Sequence, residues 1–521
     1  MVTQVIISRP FNLFFSEECN NFAALTRKTM MKNRSKWIAL VLLIMWAAPL
    51  TCNAQAWHSV KLKSQITHPQ PMTGLVLWPD QARNRHTTYG KSIQLEFSYC
   101  LPCKVVKGCA EDGTIEYDWS SFDALLDDVA GRGHQLVVRF RYEYPSGKDV
   151  DGQKGTTAVP AYIKERSDYN ETYAENPGGD GPTYYADWTN TELQRFTLQF
   201  YSDFAQRYAN DARIAFLEVG FGHWSEYHIY GTQVELGVNF PSKSFQKKFF
   251  QHMRSVANGI PWLVSIDASD DTYSPVVADN ALMLLTFGLF DDSFMHKTHE
   301  IGTSGGYNER CWNSIGKGTR WRKGVCGGEI SYYTSSDQKN FLNPEGMYGH
   351  TWEEQAAKYH ITFMIANDAP GSTYGTARRF REASMATGYR IAVKECNTDG
   401  TTTRLLVTNQ GVAPLYRDAW FAIGEVRADK SLKGLLPGTE KWVEIPAVPQ
   451  KDGSDIHIVS DFILPKQQIE FNADIEGETA IHSIQAPDSS ASYYNLSGQA
   501  ISRPTHGIYV KSTKRVKRLK G

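Results

Sequence analysis

The 521 residues include only 8 cysteines, carry a net charge of −1, and contain no apolar run reaching the roughly 20 residues that a membrane-spanning helix needs. The near-neutral balance removes any electrostatic reason to expect a nucleic acid or an anionic membrane as partner. No nucleotide fingerprint and no serine nucleophile elbow stands at a suitable position. Gly302-Thr-Ser-Gly-Gly306 is glycine-rich but lacks the Lys-Ser/Thr ending of a phosphate-binding loop, so it reads as a flexible lid. No internal repeat points to a solenoid or propeller. Cys100-Leu-Pro-Cys103 has the spacing of half a zinc site, but no second ligand pair accompanies it, and neither a metal nor a cofactor is expected.

Aromatic residues are plentiful, at 12% of the chain with 13 Trp and 26 Tyr. Such rings fill cores and also stack on the apolar faces of sugars. The length exceeds one ordinary core and implies two or three domains. Residues 30–54 read as a secretory signal: Lys32, Arg34 and Lys36 precede an apolar stretch from Trp37 to Leu50, with cleavage expected before Gln55 and residues 1–29 an upstream extension. Export permits disulfides. Cys311 and Cys326, flanking 14 residues, are the expected pair, with Cys100 or Cys103 to Cys109 a second.

From residue 70 to 388, strand-like runs alternate with amphipathic helices, the pattern of an α/β protein. Eight strands are expected: Gly74–Trp78, Ile93–Tyr99, Leu136–Tyr142, Ile214–Phe221, Leu263–Ala268, Leu282–Phe287, Val325–Ser331 and Ile361–Asn367. Eight is the number that closes a (β/α)8 TIM barrel. Helices are expected over Trp119–Ala130, Thr191–Tyr208, Ser242–Ala257 and Trp352–His360, with Thr191-Glu-Leu-Gln194 as a start signal. Residues 389–475 change to short alternating strands and read as a β-sandwich. Residues 481–521 form a last small β segment with a basic end.

Two runs carry the chemistry. Phe216-Leu-Glu-Val-Gly-Phe-Gly-His-Trp-Ser-Glu226 and Val325-Cys-Gly-Gly-Glu329 each end an apolar strand in small residues and then a glutamate, at the fourth and seventh expected strands. Strand ends at the C-terminal face of a barrel are where catalytic groups stand. A glycosidic bond is cleaved by one carboxylic acid that protonates the leaving oxygen and a second carboxylate that attacks or stabilises the anomeric carbon. Glu218, inside the fourth strand, reads as a buried structural carboxylate.

That order resembles the large clan of retaining glycoside hydrolases with a (β/α)8 barrel, with the acid/base at strand four and the nucleophile at strand seven. The resemblance implies those roles for Glu226 and Glu329. Ser225 stands where the clan usually has asparagine. Gly74-Leu-Val-Leu-Trp78, Arg139-Phe-Arg-Tyr142, Gly220-Phe-Gly-His-Trp-Ser-Glu226 and Gly327-Gly-Glu329 are also similar to motifs of a family of secreted bacterial glycosidase-like barrels of unknown function that end in a β-sandwich. The tail from Tyr493 resembles the C-terminal sorting domain of type IX secretion, which implies outer-membrane secretion machinery as a partner and a secreted or cell-surface location.

Candidate substrate-binding groups are Arg141, His223, Trp224, His228, Asp291, Asp292 and Tyr332. Arg141 could hold a catalytic glutamate ionised or bind a substrate acid. Histidine, tryptophan, tyrosine and aspartate on a barrel rim match the hydroxyls and ring faces of an oligo- or polysaccharide. Three functions remain: a secreted glycoside hydrolase with a retaining mechanism, a catalytically silent surface barrel that binds glycans through the same rim, or a surface adhesin in which the barrel is only scaffold.

Overall fold

The computed structural model describes residues 56–145, 149–150, 153–154, 157–297, 306–366 and 373–477, with the backbone of 492–494, 500–501 and 510–512. The expected signal segment, most of the lid sequence at Gly302–Gly306, and most of the tail lie outside the described residues.

Eight parallel strands close into a barrel: β1 Gly74–Leu77, β2 Leu95–Cys100, β3 Gln135–Phe140, β4 Ile214–Val219, β5 Trp262–Ser265, β6 Gly288–Phe294, β7 Cys326–Ile330 and β8 Phe363–Ile365. Every neighbour pairs in sequence order, and β8 returns to β1 through Phe363–Gly74 and Ile365–Val76. The α/β barrel is therefore present, with helices between strands as the sequence indicates. The helix Thr191–Tyr208 buries Leu193, Phe196, Phe200 and Phe204, spaced three and four residues apart, so one apolar stripe faces the strands. Its cap differs from expectation: the Asn190 side chain, not Thr191, accepts the Leu193 N–H at 3.0 Å. Helix Trp352–Lys358 starts on a full capping box, Thr351 with Glu354.

One strand is displaced from its expected place. Leu282–Phe287 is not a strand. Asp279 accepts from the Ala281 and Leu282 amides and starts a short helix at Asn280–Met283. The strand begins at Gly288, where a side chain would collide with the Val325 carbonyl 2.0 Å from the Cβ position. Asp291 and Asp292 consequently lie within β6 instead of following it.

The barrel interior is layered. Phe216 and Phe363 stack across it with ring centroids 5.3 Å apart, and Phe97 and Phe290 lie beneath the guanidinium of Arg139. Polar side chains stand above this apolar layer, toward the C-terminal ends of the strands.

Beyond the barrel, one sheet joins Leu62–Ser64, Phe471–Ile475, Ile391–Thr398, Thr403–Asn409 and Glu440–Ile445, with His58–Ser59 beside Ile391–Thr398. A three-stranded sheet contains Val426–Arg427, Trp420–Ile423 and Ile456–Val459. Their apolar side chains form one cluster with barrel residues such as Val76, Phe97 and Phe216. The buried Arg417 fastens the contact, donating to the Ile214 carbonyl at 3.1 Å near the start of β4. Backbone strands Ser492–Tyr494, Ala500–Ile501 and Val510–Ser512 form a further small antiparallel sheet. Among the described residues, no helix is long and apolar enough to cross a membrane.

The cysteine expectation is corrected. Cys311 and Cys326 are both free and buried, and Cys100, Cys109 and Cys396 are free as well, so neither expected bridge forms. Cys326 opens β7 inside the barrel wall, where burial pushes its thiol pKa up and Arg320 and the Leu289 amide are nearby. Cys311 lies on helix Tyr307–Ser314 against Ser269 and Tyr307, with its thiol raised to about 11 by burial. The two thiols occupy separate packed environments, and closeness along the chain does not bring them together.

Candidate active site

Glu226 is delivered by a tight loop after β4. At Gly220 a Cβ would sit 2.0 Å from the Ser225 carbonyl, so only glycine lets the loop fold back over the strand end. Trp224, Ser225 and Tyr227 all take left-handed backbone angles, with φ of 54°, 61° and 57°. Such angles cost roughly 1–3 kcal/mol each and persist where surrounding contacts over-determine them, typically at functional sites. Here the loop is held by Trp224 N donating to Glu143 O at 3.2 Å and Tyr227 N donating to Phe221 O at 2.9 Å. The buried Tyr227 hydroxyl also donates to Gln246 Oε1 at 3.2 Å.

Glu329 reaches the same cleft from β7. Gly328 just before it has φ of +143° and lies against the Asp291 backbone of β6, where a Cβ would be 2.0 Å from the carbonyl. Both glutamates line a cavity of about 720 Å³ with Trp78, Tyr99, Tyr144, Asp180, Trp224, His228, Asp292, Tyr332 and Tyr333. A second cavity of about 450 Å³ shares Asp180, Glu226, His228, Asp292 and Tyr333 and extends the cleft toward Asp267 and Tyr307.

The cation at the centre is Arg139, fully buried on β3. Its Nη1 donates to Glu226 Oε1 at 2.6 Å, its Nε to Glu218 Oε2 at 2.8 Å, and its Nη2 to Asp292 Oδ2 at 2.8 Å. One guanidinium thus faces three carboxyl groups, with Glu329 close enough to interact electrostatically. Full ionisation of all four acids would leave uncompensated charge in a low-dielectric interior, so the cluster retains protons. Burial raises Glu226 well above the ordinary carboxyl range and Asp292 adds to it, while Arg139 pulls the other way. Burial raises Glu329 as well, against a hydrogen bond with Tyr332. Burial raises Glu218 to about 7. Tyr99 donates to Glu226 Oε1 at 3.0 Å.

The residues named from sequence are distributed as follows. Glu226, Glu329, Trp224, His228, Asp292 and Tyr332 all line the main cavity. Arg141 does not touch a glutamate there; it stacks over Tyr144 at 4.4 Å and Tyr99 at 5.2 Å. The guanidinium that contacts Glu226 is that of Arg139, two residues earlier on the same face of β3. His223 is fully buried behind the cleft wall. Asp291 is buried, paired with Asn308, and raised by burial. Sequence reasoning missed Tyr99, Tyr144, Asp180 and Tyr333, whereas Asp267, an acid expected after the fifth strand, lines the second cavity. Alternation along β2, which puts Tyr99 on the face of Phe97, was the available signal for the first.

No family model matches the sequence, and no curated protein matches it. Among solved structures, endoglycoceramidase II from Rhodococcus sp. aligns over 74% of this chain and 99% of its own, at 9% identity and a TM-score of 0.38. The catalytic domain of a β-amylase from Paenibacillus polymyxa aligns over 60% and 98%, at 12% identity and a TM-score of 0.37. An Anoxybacillus α-amylase aligns over 72% and 98%, at 10% identity and a TM-score of 0.31. These are likenesses in the course of the chain, not in the chemistry of a site.

Proposed function

We propose that the protein is a glycoside hydrolase that uses Glu226 and Glu329 as its catalytic pair. The supporting observation is that two glutamates from the ends of β4 and β7 enter one aromatic-lined cavity, each with a hydroxyl or guanidinium partner. In this reading an oligo- or polysaccharide lies along Trp78, Trp224 and Tyr332, whose ring faces suit sugar faces, while Asp292 and His228 meet its hydroxyls. Glu226 protonates the leaving oxygen and later activates water. Glu329 attacks the anomeric carbon to form a glycosyl-enzyme, as in a retaining reaction.

The reverse assignment has one observation in its favour: Arg139 and Tyr99 both donate to Glu226, an arrangement that suits an ionised nucleophile. The two assignments share the same pair and differ in which variant external azide rescues. Export by the signal segment and the sorting tail completes the proposal and places the enzyme outside the cell or on its surface. Assay of the purified mature protein against aryl glycosides and plant, host and bacterial polysaccharides tests it. Cleavage that survives neither Glu226→Ala nor Glu329→Ala is expected. Binding without cleavage would favour the silent glycan-binding barrel.

A further inference from the structure

Three donor atoms outside the Glu226–Glu329 pair converge on the cleft wall. Asp180 Oδ2 lies 3.5 Å from His223 Nδ1 and 3.4 Å from His228 Nε2, and all three ligand atoms fall within 4.8 Å of one another. Metal–ligand bonds of about 2.0–2.2 Å at tetrahedral angles place neighbouring donors roughly 3.3–3.6 Å apart. The two measured separations match that spacing.

The hydrogen-bond network fixes the tautomer of His223. Tyr185 has one hydroxyl proton, which is directed at the Thr232 carbonyl 2.6 Å away. The same oxygen lies 2.8 Å from His223 Nε2, so it must accept from Nε2–H. The Nδ1 lone pair of a fully buried ring is then aimed at Asp180 and His228 without a hydrogen bond of its own. An outer partner that takes the second ring N–H and orients the free nitrogen is what metal-ligating histidines characteristically have.

The donors are also held before any ion arrives. His223 and His228 are bridged backbone to backbone within the strained loop that carries Glu226. The turn leading to Asp180 is tied to that loop by Gly178 N donating to Gly231 O at 2.8 Å.

We propose that Asp180, His223 and His228 bind one divalent transition-metal ion on the wall of the cleft. Two imidazoles and a carboxylate suit zinc and its first-row neighbours over magnesium or calcium, which prefer all-oxygen sites. Three protein ligands leave a fourth position. Because Asp180 and His228 line both cavities, that position opens to the cleft, where a water or a ligand hydroxyl completes the shell. The site stands independently of the hydrolytic pair, since it is read by binding alone.

The test uses the full mature protein, stripped with a chelator and titrated with Co2+ and then Zn2+. One Co2+ per chain is expected, with the intense visible absorption of a tetrahedral site, displaced by Zn2+ and accompanied by a rise in thermal midpoint. His228→Ala and the near-isosteric Asp180→Asn should each abolish the Co2+ spectrum while circular dichroism stays unchanged. Tyr185→Phe, which removes the orienting hydroxyl, should weaken binding by about 10- to 100-fold. Wild-type protein that takes up no Co2+, or variants that bind it as tightly as wild type, would overturn the site.

Discussion

Arg139 Nη1 lies 2.6 Å from Glu226 Oε1, joining a buried residue of the third barrel strand to a glutamate on the loop after the fourth. That contact makes the placement of the candidate acid depend on the barrel interior, because the same guanidinium also holds Glu218 and Asp292. Replacing Arg139 with Met removes the only cation in contact with these three carboxyls among the described residues. A loss of about 3–5 kcal/mol is expected near neutral pH, and a smaller one in acid, where the carboxyls protonate. Chemical denaturation at the two pH values checks this; an equal loss at both would contradict it.

Glu218 gives a pH dependence of known sign. Its folded pKa is raised from 4.5 to about 7, so above 4.5 the unfolded chain releases a proton that the folded chain keeps. Stability therefore falls as pH rises from about 4.5 to about 7, by at most ~1.4 kcal/mol per pH unit from this group. Glu143, raised to about 8 by burial, adds a slope of the same sign. Urea titrations across this range should show a shallower slope for Glu218→Gln than for wild type. An unchanged slope would remove Glu218 from the proton-holding cluster.

Gly220→Ala places a methyl group on the Ser225 carbonyl. Strain of roughly 1–3 kcal/mol is expected, with loss of any hydrolytic activity because the loop carrying Glu226 must move. Full activity in a folded Gly220→Ala protein would show that this close approach does not position the glutamate.

Thiol chemistry checks the cysteines. Cys311 and Cys326 are buried and unbonded, so both should resist alkylation in the folded protein and react fully in denaturant without a reductant. Peptide mapping that recovers them as a linked pair would restore the disulfide.

The barrel was legible because seven of its eight strands are short apolar runs bounded by glycine or polar residues, and both glutamates stand directly behind such runs. β6 was misplaced because Leu282–Phe287 is as apolar as a strand, while the Asp279 cap that makes its start helical is a local signal easily outweighed by hydrophobicity. Alternation put Arg139 and Arg141 on one face, but it gives no depth along the barrel axis, and the deeper residue proved to hold the carboxyls. Asp180 was missed because it lies in a glycine-rich loop far along the chain from His223 and His228, and only the folded structure brings the three together. The cysteine pairing failed for the complementary reason: separation in sequence says nothing about which packed environment each thiol enters.

The central claim is that Glu226 and Glu329 act as a catalytic pair. The most direct measurement is turnover of an activated aryl glycoside, first established as a substrate of the wild-type enzyme, by Glu226→Ala and Glu329→Ala with and without azide. Glu226→Ala should retain glycosyl-enzyme formation and regain turnover with azide, yielding a glycosyl azide of retained configuration, whereas Glu329→Ala should form no glycosyl-enzyme. Near-normal turnover by both variants without azide would contradict the pair.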